Sequence, residues 1–250
     1  MIKKISITML TKNSEKHLEE SLKVLEQFKE IVILDNGSTD STLQIASSFS
    51  NVKIITNPFI GFGPLKNLAA REASNDWIFS IDSDEIVTPK LLESVNKLDL
   101  TKKQRVYSVS RLNHYRGKPI KCCGWYPDRV MRLYNRTFTG FNDAVVHESL
   151  QLPEGTEMLS LDGYLKHYPF DNVESLIEKM QSYSTLYAEQ SKKTSSPSKA
   201  AFRALHAFLK NYLIQRGFLW GYEGLLISVS NANGVFYKYM KLYEKQKGKQ

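Results

Sequence analysis

The sequence predicts an α/β protein whose mostly parallel, mixed sheet is flanked by helices and followed by a helical C-terminal extension. Apolar, strand-like runs alternate with amphipathic, helix-like runs over the first hundred residues, and the strand-like runs are apolar throughout. Strands of that kind are buried on both faces, as in parallel sheets covered by helices. Two of the runs end at an aspartate, Asp35 and Asp82. Ligands of such sheets bind beyond the carboxyl ends of the strands, so both aspartates are expected there.

The predicted elements fall into two regions. A first domain of residues 1–170 contains two halves, residues 1–100 and 101–170, and a helical region follows at 171–250. We predict strands at 5–10, 31–34, 52–56, 77–81, 106–111 and 130–134, and helices at 18–25, 43–49, 61–74, 173–190, 198–216 and 222–243.

Length and composition exclude several classes of protein. A chain of 250 residues with 42% apolar residues can bury a sizeable core. Neighbouring Cys122 and Cys123 form neither a structural disulfide pattern nor a metal-binding spacing, which favours a reducing cytoplasmic setting. The N-terminal apolar run is short and leads into polar residues without a cleavage site, and no stretch approaches the length of a membrane span.

The strongest chemical motif is Asp82-Ser83-Asp84, which follows an apolar strand. Two carboxylates one residue apart at a strand end can reach one cation together. Mg²⁺ or Mn²⁺ prefers oxygen ligands and often bridges to substrate phosphates. The alternative is an acidic turn without a metal.

Two further loops lie near the predicted strand ends. Asp35 opens a turn with Gly37 and can accept hydrogen bonds from a ribose or a base, or can merely cap the next helix. Gly61 and Gly63 allow close approach of the backbone to a ligand, and Lys66 after them can meet a phosphate or base, or can be a solvated surface lysine. The glycine motifs of phosphate-loop and dinucleotide-binding proteins are absent from the sequence.

These motifs, in this order, resemble family 2 glycosyltransferases of the GT-A (Rossmann-like) fold, and most closely the branch of lipopolysaccharide-core β-glucosyltransferases. The resemblance rests on residues 11–15 after the first strand, the turn at 35–40, Lys66-Asn67 and Asp82-Ser83-Asp84. It is strong over residues 3–170 and looser over the C-terminal helices.

The resemblance implies that residues 1–100 are a nucleotide-sugar half and residues 101–170 an acceptor half, and it implies roles for the motif residues. Asp82 faces the ribose and the metal, and Asp84 is the direct metal ligand. Lys66 stands near the base, where the family usually has arginine, and Asn36 replaces a second acid of the turn. The donor site also includes Ser83, and the nucleoside pocket is lined by Thr11, Asn13, Glu15 and Asp35.

An inverting transferase needs a base that removes the proton from the acceptor hydroxyl. Glu148 is the candidate, because it follows a short apolar run beyond the loop-rich region and similar enzymes carry a carboxylate here. An exposed glutamate at a strand end is the alternative. His147 is a further titratable candidate, and His167 can complete the metal shell, although single histidines are more often structural.

Arginines and a basic helix suggest anionic ligands. Arg129 and Arg132 suit bidentate recognition of phosphate or carboxylate, and similar enzymes carry this run near the donor phosphates. The net charge of +8 is concentrated late in the chain. Residues 199–216 predict a helix with apolar side chains on one face and no acidic residue. Such a helix can lie on an anionic bilayer, or it can pack on the core of the protein with its charges in solvent.

The resulting prediction is an inverting, Mg²⁺- or Mn²⁺-dependent transferase. It moves a hexose from a UDP-sugar to a hydroxyl of a lipid-linked or oligosaccharide acceptor, in lipopolysaccharide or other surface-glycan synthesis. The expected location is cytoplasmic, peripheral on the inner face of the cytoplasmic membrane. The alternatives are a sugar-nucleotide nucleotidyltransferase and a non-catalytic binding module. Nucleic acid is not an expected partner, since no RNA-binding motif with interleaved aromatic residues accompanies the basic charge.

Overall fold

The structure is a computed structural model that describes residues 2–191 and 193–248. Within these residues, nine strands form one sheet. They are β1 (Ile5–Thr11), β2 (Ile31–Asp35), β3 (Val52–Thr56), β4 (Trp77–Ser80), β5 (Glu85–Val87), β6 (Arg105–Tyr115), β7 (Lys118–Pro119), β8 (Asp128–Asn135) and β9 (Glu157–Phe170). The α-helices are α1 (Glu15–Leu25), α2 (Thr42–Ser47), α3 (Phe62–Arg71), α4 (Pro89–Asn96), α5 (Val173–Gln190), α6 (Pro197–Leu209) and α7 (Gly221–Lys247).

The sheet is mixed, as predicted. Its order is β3-β2-β1-β4-β8-β6-β9-β5, with β7 paired to β6. Strand β1 pairs in parallel with β2 and β4, and β2 pairs in parallel with β3. The later strands add antiparallel pairs, β8 with β4 and β9 with β5. The predicted fold class is therefore confirmed, with the parallel half built from the first eighty residues.

Both faces of the parallel half are buried. Along β2, Ile31 and Ile33 join one hydrophobic cluster, which also contains Leu18 of α1. The alternate residues Val32 and Leu34 join a second cluster on the other face. Since side chains alternate across a strand, an all-apolar strand requires cover on both sides. This arrangement explains why the strand sequences lack polar alternation.

The chain divides into two compact units. One comprises residues up to Arg111 together with Arg129–His167, and the other comprises Leu112–Asp128 together with the residues from Tyr168 onward. The second unit thus combines the C-terminal helices with a segment from the middle of the chain. The domain boundary predicted at residue 170 stays a prediction.

One C-terminal helix is shorter than predicted, and α7 extends to Lys247 beyond its predicted end at residue 243. We expected one helix over 198–216, but α6 ends at Leu209 and a π-helical turn follows at Lys210–Ile214. The Ser196 side chain accepts a hydrogen bond from the Lys199 amide at 3.2 Å, which caps the start of α6. Among the residues that the structure describes, no helix has the length and apolar content that crossing a membrane requires.

Candidate active site

The turn after β2 is organised around the buried carboxylate of Asp35. Parallel register places Thr11 beside Asp35, and the Thr11 hydroxyl donates to Asp35 Oδ1 at 2.9 Å. The amides of Gly37 and Ser38 both donate to Asp35 Oδ2 at 2.9 Å. Burial favours the neutral acid, but the hydrogen bonds from Ser38, Thr11 and Gly37 outweigh it and lower the pKa of Asp35. Asp35 therefore shapes the turn, and its contact with a nucleoside stays a prediction.

Two residues after β1 tie their loop to the same turn. The Asn13 amide donates to the Ser38 hydroxyl at 2.9 Å, and the Thr39 amide donates to Asn13 Oδ1 at 2.8 Å. Glu15 accepts from the amide of Ser41 at 3.0 Å. Ser38 and Thr39 thus form hydrogen bonds with Asn13 of the loop after β1. They do not cap α2, which begins after Ser41. The structure brings the predicted nucleoside residues Thr11, Asn13, Glu15 and Asp35 to one edge of the sheet.

The charge of Asp35 should contribute to stability only above the acidic range. Its pKa in the folded chain lies below the ordinary value of 3.8, so the contribution is present above that value and is lost as pH falls through the folded pKa. We expect Asp35→Asn to cost about 1.5–3 kcal/mol of unfolding free energy at neutral pH. The cost should shrink steadily in acid.

Urea unfolding across a pH series measures this difference. The exposed Asp162→Asn is the matched control and should change little at any pH. A cost of Asp35→Asn that stays constant into strong acid would contradict the assignment of a lowered pKa.

The Asp82-Ser83-Asp84 motif lies between β4 and β5, and Glu85 begins β5. The Asp82 amide donates to Glu85 Oε2 at 3.0 Å, and the Glu85 amide donates to the Asp82 carbonyl at 3.0 Å. The side chain of Glu85 is fully buried. Ser83 lies within hydrogen-bond distance of Ser14, with 2.8 Å between the two hydroxyl oxygens. The turn is thus held to the loop after β1 and to its own backbone.

Arg132 of β8 neutralises two of these carboxylates. Its Nη2 pairs with Asp82 Oδ2 and lies 2.6 Å from Glu85 Oε1, and the guanidinium is almost entirely buried. Burial alone disfavours the charged form, but the two carboxylates outweigh it, so the pKa of Arg132 is raised further. Arg111 approaches Glu85 Oε1 at 3.5 Å. Glu85 was not among the predicted site residues, although an acid directly after the motif was a visible signal.

Lys66 of α3 lies between Asp82 and Glu148. Its buried Nζ is 2.9 Å from Asp82 Oδ1 and 3.1 Å from Glu148 Oε1. Burial opposes the ionised form of Asp82, but Arg132 and Lys66 outweigh this effect and hold the pKa of Asp82 well below its ordinary value. The predicted base and the predicted donor motif therefore meet at one ammonium group. The predicted contact of Lys66 with a base stays a prediction.

Glu148 reaches this position because its loop lies against the start of α3. The amides of Phe62 and Gly63 donate to the carbonyls of Val145 and Ala144 at 3.0 and 3.1 Å. A Cβ at Gly63 would lie 1.8 Å from the Asn142 carbonyl oxygen, so only glycine permits this approach. The glycine-rich sequence at the start of α3 serves backbone packing against the loop of Glu148.

Asp84 and His167 form a separate pair at the end of the motif. The β5–β9 register places His167 opposite Glu85, and His167 Nε2 lies 3.4 Å from Asp84 Oδ2. Both atoms are ligand types that a divalent cation accepts. In the part of the chain that the structure describes, no three His, Cys, Asp or Glu side chains converge to hold a metal ion. The carboxylate of Asp82 is engaged by Lys66 and Arg132, and the predicted metal roles of Asp82, Asp84 and His167 stay predictions.

The two predicted phosphate-binding arginines occupy different surroundings. Arg132 joins the carboxylates, as described above. Arg129, three residues earlier on β8, donates to the Ser160 hydroxyl at 2.6 Å and is exposed. Its predicted role near the donor phosphates stays a prediction.

Comparison with solved structures identifies the fold. The mannosyltransferase PcManGT from Pyrobaculum calidifontis, solved in complex with GDP-Man and Mn²⁺, superimposes with a TM-score of 0.57. The match covers 97% of this chain and 88% of that chain, at 12% sequence identity. The curled mixed sheet flanked by helices is the fold of GT-A glycosyltransferases.

Sequence comparisons find relatives that are glycosyltransferases. Residues 6–120 match the model of glycosyl transferase family 2. An uncharacterized glycosyltransferase of Rickettsia typhi is 29% identical over 97% of this chain and 88% of its own length. The lipopolysaccharide core biosynthesis glycosyltransferase LpsC of Rhizobium meliloti is 29% identical over 96% of this chain and 92% of its own length. The resemblance stated from the motifs is confirmed.

Proposed function

We propose that this glycosyltransferase is an inverting, metal-dependent enzyme that transfers a hexose from a UDP-sugar. The observation that carries the proposal is the meeting of Glu148 and Asp82 at the Lys66 ammonium, beyond the carboxyl end of β4. The carboxylate proposed as the base and the motif proposed to bind the donor thus share one cationic partner. A single displacement needs one base and no second nucleophilic carboxylate.

In this proposal, Glu148 accepts the proton of the acceptor hydroxyl while the hydroxyl oxygen forms a bond to the anomeric carbon of the donor sugar. The bond from that carbon to the diphosphate oxygen breaks, and its electron pair leaves with the nucleoside diphosphate. The sugar carbon is attacked opposite the leaving group, which inverts its configuration. Lys66 keeps Glu148 in place by its 3.1 Å contact and supplies positive charge beside the donor.

Asp84 and His167 are the residues proposed to hold Mg²⁺ or Mn²⁺. Asp82 would contribute to the metal site, as predicted, once the bound donor displaces Lys66 or Arg132 from its carboxylate. A bound divalent ion neutralises charge on a diphosphate leaving group. Arg132 and Lys66 already offset the charge of Asp82, so the site presents both fixed cations and carboxylates to a donor. Thr11, Asn13, Glu15 and Asp35 are proposed to shape the nucleoside pocket.

The proposed acceptor is a hydroxyl of a lipid-linked or oligosaccharide glycan, in lipopolysaccharide or other surface-glycan synthesis. The relative LpsC is named for lipopolysaccharide core biosynthesis and matches over 96% of this chain, which supports the proposal. We further propose a peripheral position on the inner face of the cytoplasmic membrane, as the basic C-terminal region predicts.

A panel of nucleotide sugars tests the donor and the metal together. We expect a UDP-hexose to raise the melting temperature and to be slowly hydrolysed to UDP when Mg²⁺ or Mn²⁺ is present, while GDP- and CMP-sugars give smaller effects. The exposed Asp143→Asn should behave as wild type. Full activity of Asp84→Asn with the metal chelated would refute the proposed metal role.

A further inference from the structure

The second unit contains a cavity of about 380 Å³. Side chains from α6, the π-helical turn and α7 line it. Among the described residues of its lining, none is acidic. The polar and charged ones include Arg203, His206, Lys210, Asn211, Lys238 and Tyr239.

The cations of this cavity are not neutralised by the protein. In the described part of the chain, no ion pair or hydrogen bond engages the charged groups of Arg203 or Lys210. Lys238 lies over the rings of Tyr187 and Tyr239, at 4.6 and 5.2 Å, and likewise has no carboxylate partner there. Like charges in one cavity repel each other, so a bound anion relieves that repulsion. Arginine and lysine together suit a phosphate group.

The cavity wall is held in place by backbone-directed contacts. Asn211, in the π-helical turn, is buried, donates to the Ala207 carbonyl at 2.6 Å and accepts from Asn231 at 3.1 Å. Gly124 has a φ of 76°, and a Cβ there would lie 2.8 Å from the Gln215 side chain. The cavity is therefore a built feature of the unit.

An exposed apolar strip runs beside the cavity on the same helix and turn. Phe202 and Leu205 are 70% and 57% exposed, and the pocket-lining Arg203 and His206 each follow one of them directly. Exposed large apolar side chains grouped in this way mark an interaction surface. The strip consists of Phe202, Leu205, Leu209, Leu213 and Ile214.

We propose that the cavity binds the phosphate group of an anionic membrane lipid while the apolar strip lies in the bilayer interface. A free phosphate satisfies the cations but leaves the strip exposed, whereas an amphiphile with a phosphate head satisfies both. The absence of any acid between Glu189 and Glu223 in the sequence adds charge complementarity to an anionic surface. This inference rests on the proposed membrane position and is independent of the proposed transfer chemistry.

Vesicle co-sedimentation of the full chain tests the cavity, with phosphatidylcholine vesicles that contain or lack phosphatidic acid. We expect binding only when phosphatidic acid is present. Arg203→Gln combined with Lys238→Gln should weaken it about tenfold or more. The control combines Lys193→Gln with Lys247→Gln, which removes the same charge from exposed positions outside the cavity lining. This control should weaken vesicle binding by less than about threefold. Equal losses in the two pairs would overturn the cavity as the phosphate site.

The apolar strip gives the second arm. Phe202→Ser combined with Leu205→Ser should abolish vesicle binding while leaving circular dichroism unchanged, because both side chains are exposed. If calorimetry shows tight binding of inorganic phosphate and these substitutions leave vesicle binding intact, the ligand is free phosphate and the lipid assignment fails. No sugar donor is present in either vesicle experiment. A negative result for vesicle binding therefore leaves the proposed sugar transfer untouched, and a negative result for sugar transfer leaves the vesicle result untouched.

Discussion

Arg132→Met should cost about 3–5 kcal/mol of unfolding free energy at neutral pH, the penalty typical of removing one partner from a buried ionic group. The side chain of Glu85 is fully buried and that of Arg132 nearly so, while Asp82 is held on its second oxygen by Lys66. Without the guanidinium, the contacts left to the Glu85 carboxylate within the described residues are the Asp82 amide at 3.0 Å and Arg111 at 3.5 Å. Methionine fills much of the volume, so the loss reports charge rather than a cavity.

Equilibrium unfolding in urea, followed by circular dichroism, measures the cost. Arg129→Met is the matched control, since Arg129 lies on the same strand but is exposed, and should change stability by no more than about 0.5 kcal/mol. Arg132 helps to lower the pKa of Asp82, so the difference from wild type should shrink in acid as that carboxylate becomes protonated. Equal costs at both arginines would contradict the assigned role of Arg132.

The parallel half of the fold could be predicted because its signals are local. Ile31, Val32, Ile33 and Leu34 are consecutive and apolar, and they divide between the two faces of the sheet in the structure. The position of Asp35 at the strand end follows from the same pattern. Strand boundaries and helix order in this half therefore agree closely with expectation.

The contacts of the candidate site depend on partners far apart in sequence. Lys66 meets Asp82 across sixteen residues, and Arg132 meets Asp82 across fifty. Each residue type was noted from the sequence, but single-sequence periodicity carries no information on which cation faces which carboxylate. Glu85 was missed for that reason, because its burial becomes visible only once β8 brings Arg132 to it.

The π-helical turn also could not be predicted from periodicity. Leu205, Leu209 and Leu213 fit the spacing of one continuous α-helix, yet all three are exposed in the structure. Their pattern predicted a face packed on the core or on a membrane, and only the fold shows that the protein leaves this face uncovered. The buried residue of the turn is instead the polar Asn211, whose amide serves the helix backbone.

The sharing of Lys66 has a consequence for the proposed reaction. The Lys66 side chain is 4% exposed and contacts both Asp82 of the proposed donor motif and Glu148, the proposed base. When Glu148 takes a proton it loses its charge, and its attraction to Lys66 weakens while the contact with Asp82 remains. In the proposed reaction, the positive charge of Lys66 then remains beside the donor, where it stabilises the negative charge of the departing diphosphate.

Replacement of Glu148 by glutamine should therefore lower kcat for sugar transfer by about 10²- to 10⁴-fold, the usual contribution of a general base. Glutamine has nearly the same shape and can still accept a hydrogen bond from Lys66, so the loop against α3 should keep its position. We expect the KM for the donor and the donor-induced thermal shift to stay close to wild type. Steady-state kinetics and thermal shift on the same preparation measure both.

The exposed Glu154→Gln removes the same charge from a nearby loop and should leave kcat unchanged. A rise in donor KM without a fall in kcat would assign Glu148 to binding instead, because uniform binding interactions change KM and leave kcat alone. A fall in kcat together with a lost thermal shift would show that the variant disturbs the donor site through Lys66. Only a fall in kcat with intact donor binding fits proton removal by Glu148, since that step is needed when the acceptor attacks and not when the donor binds.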